Sequence, residues 1–298
     1  MNSRKLPLFL FFIALFVGIF TTSCGSGKVN QDENTEVNGT HEVPDSLSLI
    51  IACLPTYESV PFYYAKAAGI ADSLLLPLRI KTYQSQFDAD TALLRGSVDA
   101  GVTDIVRQQH YARQGKMRGY VAWIPLQGEW QLLVGGRYRI TELKQLKQRT
   151  IAIARYSSSD QYTAHLRDSL RWKFDDMLRP QINDYRIRQQ MLDNEQIDAA
   201  VLPQPFALRA KINGQRVLAT LAPSYHQHAL YLSAKAQNDK RKIKQAQLLQ
   251  RVYNVAIQRI HQHPGAVLDS VLMRTYKLTP EQIRQVRLPH YLEVKSAK

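Results

Sequence analysis

Two stretches of the chain follow one pattern: "GSVDAGVTDIV" at 96–106 and "EQIDAAVLPQPFA" at 195–207. Each passes from a β-branched residue through an Asp and a small pair to an apolar residue, then into a polar or proline-marked turn. Around the first, "LSLIIACL", "LPLRIKTY", "VDAGVT" and "RGYVAWIP" read as strands. Between them, "VPFYYAKAAGI", "FDADTALLRG" and "DIVRQQHYARQG" read as helices closed by Gly69, Gly96 and Gly115. Around the second, "TIAIA", a stretch near "QINDY", "IDAAVL" and "QRVLAT" are strands, and "QYTAHLRDSLRW", "RIRQQMLDNEQ" and "PQPFALRAKING" are helical. Strands alternating with helices at short intervals predict a parallel sheet with crossover helices, and here the scheme is written twice. "HALYLSAK" is a strand that leaves the second unit, and residues 239–286 behind it read as two or three helices with no strand between them.

The first residues stand apart from this scheme. Arg4 and Lys5 precede an apolar run from Leu6 to Phe20, which is short of the roughly 20 residues that cross a bilayer as a helix. Charged start, apolar run and small residues together make a secretory signal over 1–23. "TTSCGSG" then resembles the lipobox of bacterial lipoproteins, which implies that Cys24 is acylated and becomes the new N-terminus. Thr21 stands where that motif usually has Leu. The alternative is a cleaved, unanchored periplasmic protein with a spare cysteine. Residues 24–46, rich in Gly, Ser, Asn, Asp and Glu without hydrophobic period, read as a flexible tether, with folded structure beginning at Leu47.

Cys53 is the other of two cysteines and has no partner for an internal disulfide once Cys24 is acylated; it reads as a small buried hydrophobe. The formal charge of +14, or +12 without Arg4 and Lys5, suits anionic ligands and lipid headgroups. Secretion argues against nucleic acid, and much of the charge belongs to the solvated faces of helices. His226 and His228 share a face if 226–228 is a strand, yet no third metal ligand lies nearby, so no metal is expected. No nucleophile elbow, phosphate loop or Cys/His cluster is present, and no cofactor is implied.

The order of two α/β units and a helical return resembles the type 2 periplasmic solute-binding fold. Within it, the chain is similar to the branch of alkanesulfonate, taurine and thiamine-pyrimidine binding proteins of ABC importers. The residues that carry the likeness are "IIACLPTYESVPFYYAKAAGI", "LLRGSVDAGVTD", "TIAIARYSSSD" and "IDAAVLPQPFA". The resemblance implies lobe 1 from 47–127 and 227–298, lobe 2 from 128–226, and a ligand cleft between them. It departs after "TIAIA", where the branch often has a Gly-rich turn and this chain has "RYSSSD".

In such a fold the turns after the strands face the cleft. That nominates Thr56 and Tyr57 after the first strand, Thr103 and Asp104 after "VDAGV", and Ser157, Ser158, Ser159 and Asp160 after the lobe 2 strand. Gln204, held between Pro203 and Pro205, points its amide to the cleft or sits on an exposed turn. Trp130 and Tyr225, beside the two crossings, stack on a planar ligand or pack the hinge. Asp104 and one of the serines or Asp160 also read as helix caps. The reading that follows is a monomeric, lipid-anchored solute-binding protein of the bacterial envelope. It is expected to hand a small anionic or planar ligand to an ABC permease, without catalysis. A non-transport binding lipoprotein and an enzyme of thiamine-pyrimidine or menaquinone type on the same fold are the alternatives.

Overall fold

The structure is a computed structural model that describes residues 44–225 and 227–295. Cys24, the signal, most of the tether and His226 lie outside the described residues. The first part of the chain gives β1 (Leu49–Cys53), α1 (Val60–Ala67), α2 (Ile70–Ser73), β2 (Leu78–Thr82), α3 (Gln86–Leu94), β3 (Ala100–Asp104), α4 (Ile105–Arg113) and β4 (Val121–Leu126). The middle gives β5 (Trp130–Val134), β6 (Ile151–Ala152), α5 (Ser158–Ser169), α6 (Tyr185–Asp193), β7 (Ala199–Pro203), α7 (Phe206–Ile212) and β8 (Arg216–Thr220). The last part gives β9 (His228–Leu232), α8 (Ala234–Asn238), α9 (Lys240–Gln262), α10 (Gly265–Arg274) and α11 (Pro280–Ile283).

The strands form two sheets, ordered β2-β1-β3-β9-β4 and β6-β7-β5-β8. In each, one strand runs against the others: β9 between β3 and β4, and β5 between β7 and β8. Both reversed strands follow a passage of the chain from one sheet to the other. The stretch expected as a strand near "QINDY" is reduced to single parallel bridges, Thr150 to Leu178 and Ile153 to Gln181. These still place it beside β6 where β2 stands beside β1, so the two sheets match position by position. The repeated phrase occupies β3 and β7, each the neighbour of the reversed strand.

Helices cover the first sheet closely. Gly101 faces α3, where an added Cβ would press on Leu93 Cδ2 at 3.3 Å. On α9, Ala246, Leu249, Val252, Tyr253, Ala256, Ile257 and Ile260 form one buried face. Trp123 Nε1–H donates to the Ala246 carbonyl at 2.8 Å and ties β4 to that helix. Gly69 ends α1 in the left-handed region at φ 65°, as a glycine stop requires.

The Asp shared by the two phrases has one role in both sheets. Asp99 Oδ2 accepts the Ile50 N–H at 2.8 Å, and Asp198 Oδ2 accepts the Thr150 N–H at 2.8 Å. The peptide N–H of each Asp donates back, to Ile50 O at 2.8 Å and to Thr150 O at 3.1 Å. Each carboxylate thus closes a ring between the starts of two parallel strands, satisfying a backbone donor that the ladder leaves open. Asp99 also takes the Lys242 ammonium at 2.7 Å, whereas Asp198 has only the more exposed Arg149 at 3.5 Å. Asp198→Ala should cost about 2 kcal/mol and Asp99→Ala about 3 kcal/mol, since the latter also strands the buried Lys242 ammonium. Urea unfolding of the two variants checks the order.

Candidate functional site

The carboxyl ends of β1, β3, β6 and β7 meet at one junction, as the bonds between their following turns show; the chain passes from one sheet to the other between β4 and β5 and again between β8 and β9. The lobes touch there through specific bonds. Asp104 ends β3 with an extended backbone and caps α4, its Oδ1 accepting the Arg107 N–H at 2.8 Å. Its other oxygen accepts the Ser158 N–H at 2.9 Å, on the first turn of α5 in the opposite lobe. A carboxylate from lobe 1 therefore sits on the free N–H groups that favour an anion.

Arg107 supports this contact from one turn further on. It pairs with Asp90 at 2.5 Å, donates to Tyr111 Oη at 2.9 Å and crosses to the Arg155 carbonyl at 3.0 Å. Burial works against its charge, but Asp90, by charge and hydrogen bond, together with Tyr111 and Asp104, holds its pKa above the usual guanidinium value. Outside this core, His110 stacks on Tyr156 at 3.7 Å across the same seam.

Deeper in the junction lie Thr56, Tyr57 and the adjacent Glu58, all almost fully buried. The Tyr57 N–H donates to the Gln204 carbonyl across the lobes at 3.1 Å. Its hydroxyl is buried and has no hydrogen-bond partner among the described residues. Thr56 gives its carbonyl to the Tyr276 hydroxyl at 3.0 Å. Trp130, the first residue of β5, donates from Nε1 to Glu58 Oε1 at 2.8 Å, stacks on His228 at 5.4 Å and meets the edge of Tyr185 at 5.7 Å. Trp130 thus packs the hinge, one of its two expected roles. Burial pushes the Tyr185 phenol far above its usual range, so it stays neutral.

The nominated serines divide their work. Ser157 is the α5 N-cap, accepting from the Ser159 N–H and donating to the Ala154 carbonyl at 2.6 Å. Ser159 Oγ accepts the Ala154 N–H at 3.0 Å, while Ser158 Oγ is buried with no partner among the described residues. Thr103 is buried within β3 opposite Ala229. Three nominated residues turn elsewhere. Asp160 is held by Arg179 at 3.0 Å and the Tyr156 N–H at 2.9 Å. Gln204, one residue before the Pro205 N-cap of α7, accepts the Leu208 N–H at 3.0 Å and donates to Glu129 at 3.0 Å. Tyr225 packs on α5 through Tyr162 and His165. Cys53 is buried, and burial raises its thiol far above the thiolate range, which suits the small hydrophobe expected.

Glu58, Tyr185 and His228 were not read as ligand contacts in the sequence. Glu58 adjoins Tyr57, and Gly128 in "QGEW" leaves room for it: a Cβ at Gly128 would collide with the Glu58 carboxylate. A pocket of about 450 Å³ opens beside the crossings, with Ile105, Pro125, Gln127, Gln227, His228 and Tyr231 among its walls. Among the described residues no group of three His, Cys, Asp or Glu side chains could hold a metal ion. Gly128→Ala should displace Glu58 from Trp130 and cost about 1–3 kcal/mol, read as a lowered Tm with a change in Trp130 fluorescence.

No family model matches the sequence, and no curated protein matches it. Solved structures do. The alkanesulfonate-binding protein SsuA from Xanthomonas axonopodis pv. citri, bound to MOPS, is similar at TM-score 0.69 and 18% identity, over 83% of this chain and 85% of that one. The periplasmic aliphatic sulphonate binding protein SsuA from Escherichia coli is similar at TM-score 0.65 and 18% identity, over 80% and 81%. The periplasmic nitrate-binding protein NrtA from Synechocystis PCC 6803 is similar at TM-score 0.64 and 12% identity, over 79% and 68%. Two α/β lobes with a junction at their strand ends, in the arrangement these structures share, give this chain the two-lobed periplasmic binding protein fold of type 2.

Proposed function

We propose that the chain is a solute-binding protein of the bacterial envelope, lipid-anchored through Cys24, that captures a small organic ligand between its lobes and delivers it to an ABC importer. The observation that carries this is the seam itself. Its bonds from Asp104 to Ser158, from Tyr57 to Gln204 and from Trp130 to Glu58 join groups that a ligand would exchange for its own as the lobes part and close again. Ser158 Oγ and Tyr57 Oη, buried without partners beside those bonds, are donors and acceptors held ready for one.

The site favours a planar, hydrogen-bonding ligand over a simple anion. An anion at the start of α5 must first displace the Asp104 carboxylate, whereas parting of the lobes would bare the faces of Trp130, Tyr185 and His228, which here are buried against one another, and the Glu58 carboxylate as an acceptor. The 450 Å³ pocket reaches His228 from solvent and is the proposed way in.

Thermal shift of the purified protein against sulfonates, carboxylates and aminated heterocycles tests the reading. A planar heterocycle should raise Tm by several degrees, as a ligand well above its Kd must, and Trp130→Ala should abolish the shift. The solute-binding role is overturned if nothing in a broad metabolite panel moves Tm and solution scattering shows one unchanged shape throughout. Turnover of any panel compound would instead revive the enzyme alternative. For the anchor, palmitate should label the wild-type chain and not Cys24→Ser.

A further inference from the structure

The helix α9 has 23 residues and contains no Asp or Glu. Its buried face was described above; the opposite side carries Lys240, Lys244, Arg251 and Arg259, all exposed, with Arg241 beside them. Steps of four, seven and eight residues keep these positions on one stripe. Among the described residues none of the five makes an ion pair; Lys242, which does, points inward to Asp99 and the Ser48 carbonyl. Asp239, just before the helix, caps it by accepting the Arg241 and Lys242 N–H groups.

A second observation adds a place for a ligand. A concavity of about 430 Å³ is lined by Lys240, Arg241, Lys244, Gln245 and Leu248, three cations with an apolar floor. The chain joins the folded body at this spot. Arg241 donates to the Ser46 carbonyl at 2.6 Å and Gln245 to the Leu47 carbonyl at 2.7 Å. Upstream, 22 positions separate Ser46 from Cys24 and the apolar run that precedes it. That length spans at most roughly 75 Å, so the stripe stays within reach of a surface that holds the N-terminus.

We propose that the α9 stripe is a docking surface for anionic phospholipid headgroups, which seats the first lobe on a bilayer. Each cation at such a surface adds a favourable contribution, and phosphate esters suit a cluster of Lys and Arg donors. The stripe begins at the amino ends of β1 and β3, where Lys242 meets Ser48 and Asp99, so docking there leaves the junction at their carboxyl ends open. The proposal rests on the stripe and on the membrane-held N-terminus proposed above, and not on the binding of a solute.

The full-length protein bound to vesicles of phosphatidylcholine, or of phosphatidylcholine mixed with phosphatidylglycerol, tests it by lysine acetylation read by mass spectrometry. Acetylation of Lys240 and Lys244 should slow about tenfold on the anionic vesicles while Lys173, in the other lobe, is unaffected. High salt, or the exposed charge reversal Arg251→Glu, should remove most of that protection. Equal rates on the two vesicle types overturn the proposal. So does equal protection by inorganic phosphate without vesicles, which would assign the cations to a soluble anion.

Discussion

One partly buried carboxylate at the start of a strand sets what each lobe can build. Asp99 and Asp198 fasten β3 to β1 and β7 to β6 at their amino ends, fixing the register of the two parallel pairs. Parallel pairing is slanted and weaker per residue than antiparallel pairing, so a fixed starting point matters more there. Once register is fixed at one end, the other end is fixed too, five residues on in β3 and β7. The turns that carry Asp104 and Gln204 then emerge at matching heights on facing lobes.

The two turns differ, and the difference has a physical sense. Lobe 1 projects a charged cap, Asp104, far enough to serve two helices, α4 in its own lobe and α5 in the other. Lobe 2 returns a neutral contact, the Gln204 carbonyl, to the Tyr57 N–H. A helix start is a weak partial charge, and a carboxylate placed on it is stabilised without a full ion pair. The seam therefore holds charge in a dry place with backbone dipoles, and Arg107 answers Asp90 close by.

Much of this was legible in the sequence, because alternation and glycine stops report local structure directly. The helices at 60–67, 86–94 and 105–113 and the strands between them follow from apolar spacing and from Gly69, Gly96 and Gly115. The cap at Asp104 was legible for the same reason: it depends on neighbours three residues away. Its second bond, to Ser158, was not, since it spans 54 positions and depends on how two lobes meet. Gln204 and Asp160 show the converse. Both satisfy nearby groups, Leu208 and Tyr156, and so have less to offer a distant ligand than their place after a strand suggested. Glu58 and Gly128 are a pair whose logic is steric, and a single sequence shows neither half of it.

The reversed strand β9 has a consequence for how such a chain comes into being. It fills the gap between β3 and β4, so the first sheet to be started is the last to be completed. A chain emerging from its N-terminus can close the sheet of β5 to β8 by residue 220, while β4 still lacks its neighbour until residue 232 has followed. Long-range closure of this kind is slow and keeps strand edges unpaired. That delay leaves the edges of β3 and β4 open while the second sheet is already complete, so they are where a partly made chain is most exposed to wrong pairing.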